Sequence, residues 1–484
     1  MRSLSLVLAC GFGLGLGACG SDDGDTPPPP DDGQVTWFQD VAPILSRHCM
    51  TCHQDGGIAP FSLTEYDSAK DNSELILANV DGGIMPPFDA REEASCTPRF
   101  GWVDDPRLSA VEKDTLHKWV DQGNPLGTEA EIPPIPSSTL EGVSKTLVPT
   151  QGFASSGNRD QFFCYILDPA VSQLTWLTGL QVNPDQAEVV HHAVITELPP
   201  GAEQDALVAA HPIGTPFDCS TMATPGNFVV HIWTPGNNPL ETNGDIAVPV
   251  VAGAKLVMQI HYHPAGIAHA PDKTSIDLRF SSTNPTKMYF VTALGNAPTA
   301  PALLPDPDDT GSPEFLIPAN KADHRERMTF TIPDLGGLTD VRLFSVNPHM
   351  HLVGTHINAT ITRPAARGTD PASECLANGG WNFDWQRSYL YDAPLDKLPS
   401  VAVGDRIDLE CSWNNTIENP FVQRMLADAG LGAQPVDISL GEQTTNEMCL
   451  EIFGLSIDAP PPARLGEVAK PFVLPKLGTS VSLQ

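Results

Sequence analysis

The chain has 484 residues, 41% of them hydrophobic, which is enough for several packed cores and excludes a disordered or fibrous polymer. Lysine and arginine number 27 against 59 acidic residues, a formal charge of -32 that excludes nucleic acid as a partner and repels anionic membrane surfaces on average. The 10 cysteines are too few for a disulfide-built scaffold of this length, but they suit a redox group and local staples in an oxidising compartment.

Arg2 gives a small positive start, and Leu4 to Leu16 an apolar stretch too short to span a bilayer. Leu16-Gly17-Ala18-Cys19 closes it with small residues, so 1–18 is expected to be a signal peptide. The four residues ending in Cys19 resemble the processing box of bacterial lipoproteins. That resemblance implies lipidation at Cys19 and an exported protein on the periplasmic face of a membrane, or on the cell surface, of a Gram-negative bacterium. A plain cleaved signal with an incidental cysteine is the alternative. Residues 19–34 are rich in Asp, Gly and Pro and suit a flexible tether. Since no later apolar run reaches spanning length, membrane contact is expected through the lipid alone.

Residues 35–128 are expected to form a small helical domain. Cys49-Met50-Thr51-Cys52-His53 is the pattern for covalent haem c attachment, with two thiols for the vinyl groups and His53 as an iron ligand. Periodicity predicts an amphipathic helix over Trp37 to His48 and a second over Ser109 to Gln122, which Gly123 stops. Met85, in the proline-held stretch Gly82 to Pro87, is the expected sixth ligand, its soft sulfur favouring reduced iron. Packing under the haem edge is the other reading of Met85. His48 and His117 read as surface or packing histidines. The stretch resembles the class I-like cytochrome c fold. A linker over 129–147, rich in proline and acidic residues near its start, separates it from the larger C-terminal part of the chain.

Beyond the linker, short apolar alternating runs such as Asn227 to Trp233, Lys255 to His263, Ser275 to Phe280 and Asp408 to Trp413 argue for antiparallel β-sandwich structure. Histidines interrupt these runs. His191 and His192 are adjacent, so in a strand both reach one metal only if the backbone twists or bulges there. His261 stands near a strand end. His349 and His351 are two apart and share a face. Imidazole suits Cu, Zn, Fe or Ni, and the pairs alone do not choose among them.

Thr444-Thr445-Asn446-Glu447-Met448-Cys449 adds a methionine to this series. The order His191-His192, Gln259-Ile260-His261-Tyr262, His349-Met350-His351 and Glu447-Met448-Cys449 resembles the copper type II, ascorbate-dependent monooxygenases, a family that includes peptidylglycine α-hydroxylating and dopamine β-monooxygenases. The resemblance covers roughly residues 155–455. It implies two antiparallel, jelly-roll-like β-sandwich domains, 148–284 and 285–484, each with one copper ion, facing each other across an open cleft. His191, His192 and His261 would hold the electron-transfer copper. His349, His351 and Met448 would hold the catalytic, O2-activating copper. Under the same mapping Cys164 pairs with Cys219 and Cys411 with Cys449, while Cys96 and Cys375 are left open.

The chain also departs from the family. Asn347 and Ile452 stand where the peptide-amidating members place an arginine and a tyrosine for a substrate carboxylate, so a neutral or aromatic substrate is expected instead. The Gly380 to Trp385 stretch either lines the cleft or fills a core. His231, His263 and His356 are read as structural or supporting, and His211, His269 and His324 carry no signal. The expected function is a copper-dependent monooxygenase hydroxylating a small organic substrate with O2, its two copper ions fed by one covalent haem c and an external electron donor. A copper-haem oxidase or dehydrogenase, and a non-catalytic electron-transfer lipoprotein, are the alternatives.

Overall fold

The computed structural model describes residues 33–459 apart from 56–58, 137–138, 158, 220–227, 236, 243, 264–265, 267, 308, 310 and 336–337. The expected signal peptide, Cys19 and nearly all of the expected tether lie outside the described residues.

Near the start, a π turn at Trp37–Val41 leads into the helix Ala42–His48, followed by Tyr66–Asp71, Ser73–Asp81 and Ala110–Asp121. Ser109 and Glu112 form a reciprocal capping box that fixes where the last of these begins. Gly123, at φ +79°, supplies the left-handed turn just beyond its end. Trp37, Leu45, Met50, Leu116 and Trp119 bury themselves together between these helices.

The expectation of a discrete helical cytochrome c domain over 35–128 is corrected by the path of the chain after Met85. There the chain leaves the helices and joins the β structure: Ala90 bridges Gly379, Pro98 bridges Cys375 and Trp102 bridges Tyr391. A Cys96–Cys375 disulfide closes a sequence separation of 279 residues. Phe88 and Trp102 find their aromatic partners there, Phe88 edge-on to Tyr389 at 5.1 Å and Trp102 stacked on Tyr391 at 5.0 Å. Both rings are buried in the larger β core and neither joins the cluster between the helices.

The chain is mostly β, with its helices dispersed. The expected pair of separate sandwiches is also corrected, because one 14-stranded sheet runs through both regions. Lys287–Gly295 pairs along its whole length with Leu450–Asp458, and the other edge of that strand takes Arg342–His349. Strands that would otherwise present open edges at a domain boundary satisfy their backbone groups by pairing with each other.

A 4-stranded sheet runs Lys321–Thr331, Arg406–Asn415, Gly354–Thr362, Ser373–Gly380 in spatial order. Its inward residues Met328, Ile357, Leu376 and Leu409 share a core with Leu343, Phe453 and Leu455 of the large sheet. A second core gathers Leu177, Val182, Ile195, Val248, Met258 and Ile276. The disulfides Cys164–Cys219 and Cys411–Cys449 both form, each tying a strand to a neighbouring segment.

Candidate metal centre

His191 and His192 lie at the start of the strand Val190–Leu198, and His261 lies near the end of Lys255–Tyr262. The two strands pair antiparallel, with His192 opposite His261 and a register shift between Val190 and His192. That irregularity lets consecutive residues turn to one side, which a flat strand forbids. The ligand nitrogens of the three histidines all lie within 4.8 Å of one another. His192 Nδ1 is 3.2 Å from His191 Nδ1 and 3.4 Å from His261 Nδ1. Burial, reinforced by the neighbouring His261, holds His191 and His192 well below the ordinary imidazole range. They are therefore neutral, with lone pairs available to a metal.

His349 ends the strand Arg342–His349 and His351 follows in the adjoining turn, their rings 5.4 Å apart. Burial brings His349 down to about 4 and His351 down to about 3. Met448 is almost fully buried, two residues before Leu450, which pairs with His349. The Glu447 carboxylate gathers this corner: Oε2 accepts the backbone N–H of His351 at 2.9 Å and of Met448 at 3.1 Å, while Oε1 accepts that of Val353 at 2.8 Å. Burial still pushes the Glu447 carboxyl up to about 7, despite these donors.

The two groups adjoin rather than face each other across an open cleft, for His192 and His349 have ring centroids 6.1 Å apart. Gln386 spans them, with Oε1 3.1 Å from His349 Nδ1 and Nε2 3.3 Å from His191 Nε2. Asp160 makes a second link. Its Oδ1 lies 3.3 Å from His261 Nε2 and 2.7 Å from His263 Nδ1, and its Oδ2 accepts from the backbone N–H and hydroxyl of Thr444. Burial alone would raise the Asp160 carboxyl, but the His261 and His263 rings beside it hold it well below the ordinary range. Phe162 stacks on His261 at 4.3 Å, and Phe383 stacks on His191 at 4.4 Å. In the Gly380 to Trp385 stretch the core reading holds for Phe383, while Trp381 packs against that core with its ring 5.9 Å from His349.

Sequence reasoning missed Asp160, Gln386 and Glu447. Glu447 had one local signal, its place beside Met448; the other two had none.

Around the CxxCH pattern, Cys49 and Cys52 are free thiols, whereas the other described cysteines are in disulfides. Burial pushes the Cys49 thiol up to about 12, and it raises Cys52 against the opposing charge of Arg387. His53 Nδ1 is 3.0 Å from the Phe61 carbonyl, which fixes its ring. Met85 lies in the turn after Ser73–Asp81 and is 39% exposed. His48 bonds Pro106 and Glu112, and His117 pairs with Asp81 at the surface.

A further group, Asp306, His324 and Glu326, also has its ligand atoms within 4.8 Å of one another. Among the described residues the chain thus carries two groups of His, Asp and Glu residues able to coordinate a metal ion, and it has the donor chemistry of a metal-binding protein.

No protein-family model matches the sequence, and no curated protein matches it. Among solved structures, the chain is similar to the major capsid protein P2 of bacteriophage PM2, at 11% identity and TM-score 0.24, over 66% of this chain and 98% of that one. It is similar to PNGF-II at 8% identity and TM-score 0.26, over 66% of this chain and 65% of that one. The infectious bursal disease virus VP2 particle matches at 10% identity and TM-score 0.13, over 69% and 84%. At these scores the likeness assigns no function. The resemblance to copper type II monooxygenases is corrected: no family model or curated relative ties the chain to that family, and one 14-stranded sheet runs through what that family would divide into two domains. The class names drawn from that resemblance, monooxygenase and cytochrome c among them, find no support in these comparisons.

Proposed function

We propose that the protein is a copper-dependent oxidoreductase that reduces O2 and delivers one of its oxygen atoms to a small organic substrate. The observation that carries this reading is the adjacency of two ligand groups, His191/His192/His261 and His349/His351/Met448, made of buried and half-buried residues and joined by Gln386. Copper bound there would supply one-electron Cu(I)/Cu(II) exchange at each group, and two such electrons match what oxygen insertion requires.

The chain's own residues divide the work. All-imidazole ligation by His191, His192 and His261 suits both copper oxidation states, whereas the Met448 thioether favours the reduced ion, the form that reacts with O2. Glu447 sets the spacing of His351 and Met448 by holding both backbones, and Asp160 orients His261 from behind. The free Cys49 and Cys52 thiols with His53 support covalent attachment of one haem, through which an external donor would replace the electrons. The same reading has the protein exported and lipid-anchored at Cys19. Among the described residues no helix is long and apolar enough to cross a membrane.

The test is Met448→Ile, which keeps bulk and apolarity but removes sulfur, with Cys449 still paired to Cys411. The copper-loaded, reduced wild type should show a copper-sulfur path by X-ray absorption and should place label from isotopic O2 in the product of an oxidisable aromatic panel. The variant should lose both. Oxidised product without label would replace oxygen insertion by an oxidase or dehydrogenase reaction, and full activity in a variant with unchanged absorption would remove Met448 from the centre.

A further inference from the structure

The strand Lys321–Thr331 carries His324 and Glu326 two residues apart, so both point to one face, and that face is inward: they are 2% and 0% exposed. The preceding loop is laid along this strand. Leu303 bridges Met328, and the Leu304 N–H donates to the Arg327 carbonyl, which brings Asp306 over the pair. Asp309 shapes the turn, accepting the N–H of Asp306 at 3.0 Å and of Glu314 at 3.3 Å. His324 Nε2 then lies 3.1 Å from Glu326 Oε1 and 4.0 Å from Asp306 Oδ2.

A hydrogen-bonded ion pair accounts for only part of this arrangement. Glu326 Oε1 has His324 and the Leu316 N–H, but Glu326 Oε2 is fully buried with no hydrogen-bond partner. A carboxylate oxygen left bare in a core is costly unless something positive meets it. A metal ion would take the imidazole in its neutral form and both carboxylates ionised, a donor set that balances a charge of two. An imidazole among the donors disfavours calcium and magnesium, which take oxygen ligands. Zinc accepts one nitrogen with carboxylate oxygens, and bonds of about 2.0–2.2 Å place tetrahedral ligand atoms roughly 3.3–3.5 Å apart, between the two separations seen here.

We propose that Asp306, His324 and Glu326 bind a structural zinc ion that fastens the 303–306 segment to the strand Lys321–Thr331. This site shares no residue with the His191/His192/His261 and His349/His351/Met448 groups, and its role is to hold the loop rather than to react.

The full chain is dialysed against zinc alone, and bound zinc per chain is counted by mass spectrometry for wild type, Glu326→Gln and Asp306→Asn. The histidine groups elsewhere take up zinc in all three, so the difference is read. Each variant should bind one equivalent less than wild type, and the rise in Tm on adding zinc should shrink by about 5 °C. Equal zinc counts in wild type and variants would overturn the proposal and leave an ion pair only. Asp306→Asn changes the loop and leaves the buried strand intact, so it decides the question if Glu326→Gln fails to fold.

Discussion

His192 and His349 stand edge-on, their ring planes at 88° and their centroids 6.1 Å apart, although they lie 157 residues apart in sequence (349 minus 192). Metal ions held by the two groups are therefore near neighbours. With copper in both, the oxidised protein should give a broadened, weakened electron paramagnetic resonance signal with a half-field feature, because two close Cu(II) spins couple. Two sharp signals that simply add would place the ions far apart and remove the adjacency on which the proposed function rests.

Gln386 is the cross-piece between the groups, and it is buried, at 3% exposed. Gln386→Leu preserves the volume but frees both imidazoles from their partner. Loss of an outer hydrogen bond to a metal ligand typically costs 10–100-fold in affinity, so copper binding at both groups should weaken by about that much. Competition with a chelator of known affinity measures it. Weakening at one group alone would mean that Gln386 serves only that group.

Glu197 provides the pH dependence. It sits in the strand Val190–Leu198, 2% exposed, with Oε1 accepting the Val251 N–H at 2.9 Å. Burial pushes its carboxyl from the ordinary 4.5 up to about 7. Between those values the unfolded chain has released a proton that the folded chain keeps, so stability is complete below 4.5 and declines as pH rises through about 7. The loss is on the order of 3 kcal/mol. Glu197→Gln cannot ionise, so its Tm should fall less than that of wild type between pH 5 and pH 8; parallel curves would show that this carboxyl ionises no differently in the two states.

Cys49→Ala with Cys52→Ala should abolish any covalently bound haem, seen as loss of the added mass on the intact chain, while the three disulfides stay closed. Unchanged mass relative to the haem-bearing wild type would place attachment elsewhere. Opening of a disulfide would mean that the thiols are needed to fold the chain.

The histidines were legible because they break the apolar alternation of strands, a place where a bland core would have put valine or isoleucine. Even the bulge at His191 and His192 follows from adjacent residues having to face one way. Asp160 and Gln386 were not legible, since Asp160 meets His263 across 103 residues, Gln386 meets His191 across 195 and His349 across 37, and neither sits in a pattern of its own. His324 carried no signal because Glu326 and Asp306 acquire meaning only once the loop folds over the strand. The continuous sheet escaped for the same reason: Lys287 pairs with Asp458, and nothing local in either strand names the other. Phe88 and Trp102 read as part of the helical region because aromatic residues do not show which core they will enter.

The Cys96–Cys375 bridge sets an order of assembly. A chain made from its N-terminus exposes Cys96 long before Cys375 exists, with 279 residues between them. Throughout that interval Cys49, Cys52 and Cys96 are all unpaired thiols on the same emerging stretch. An early bond between Cys96 and either neighbour would trap the 88–102 segment against the helices and away from the sheet it must join. Cys96 therefore has no native partner until Cys375 has been made, and the 88–102 segment reaches the sheet only if Cys96 is still unbonded to Cys49 and Cys52 by then.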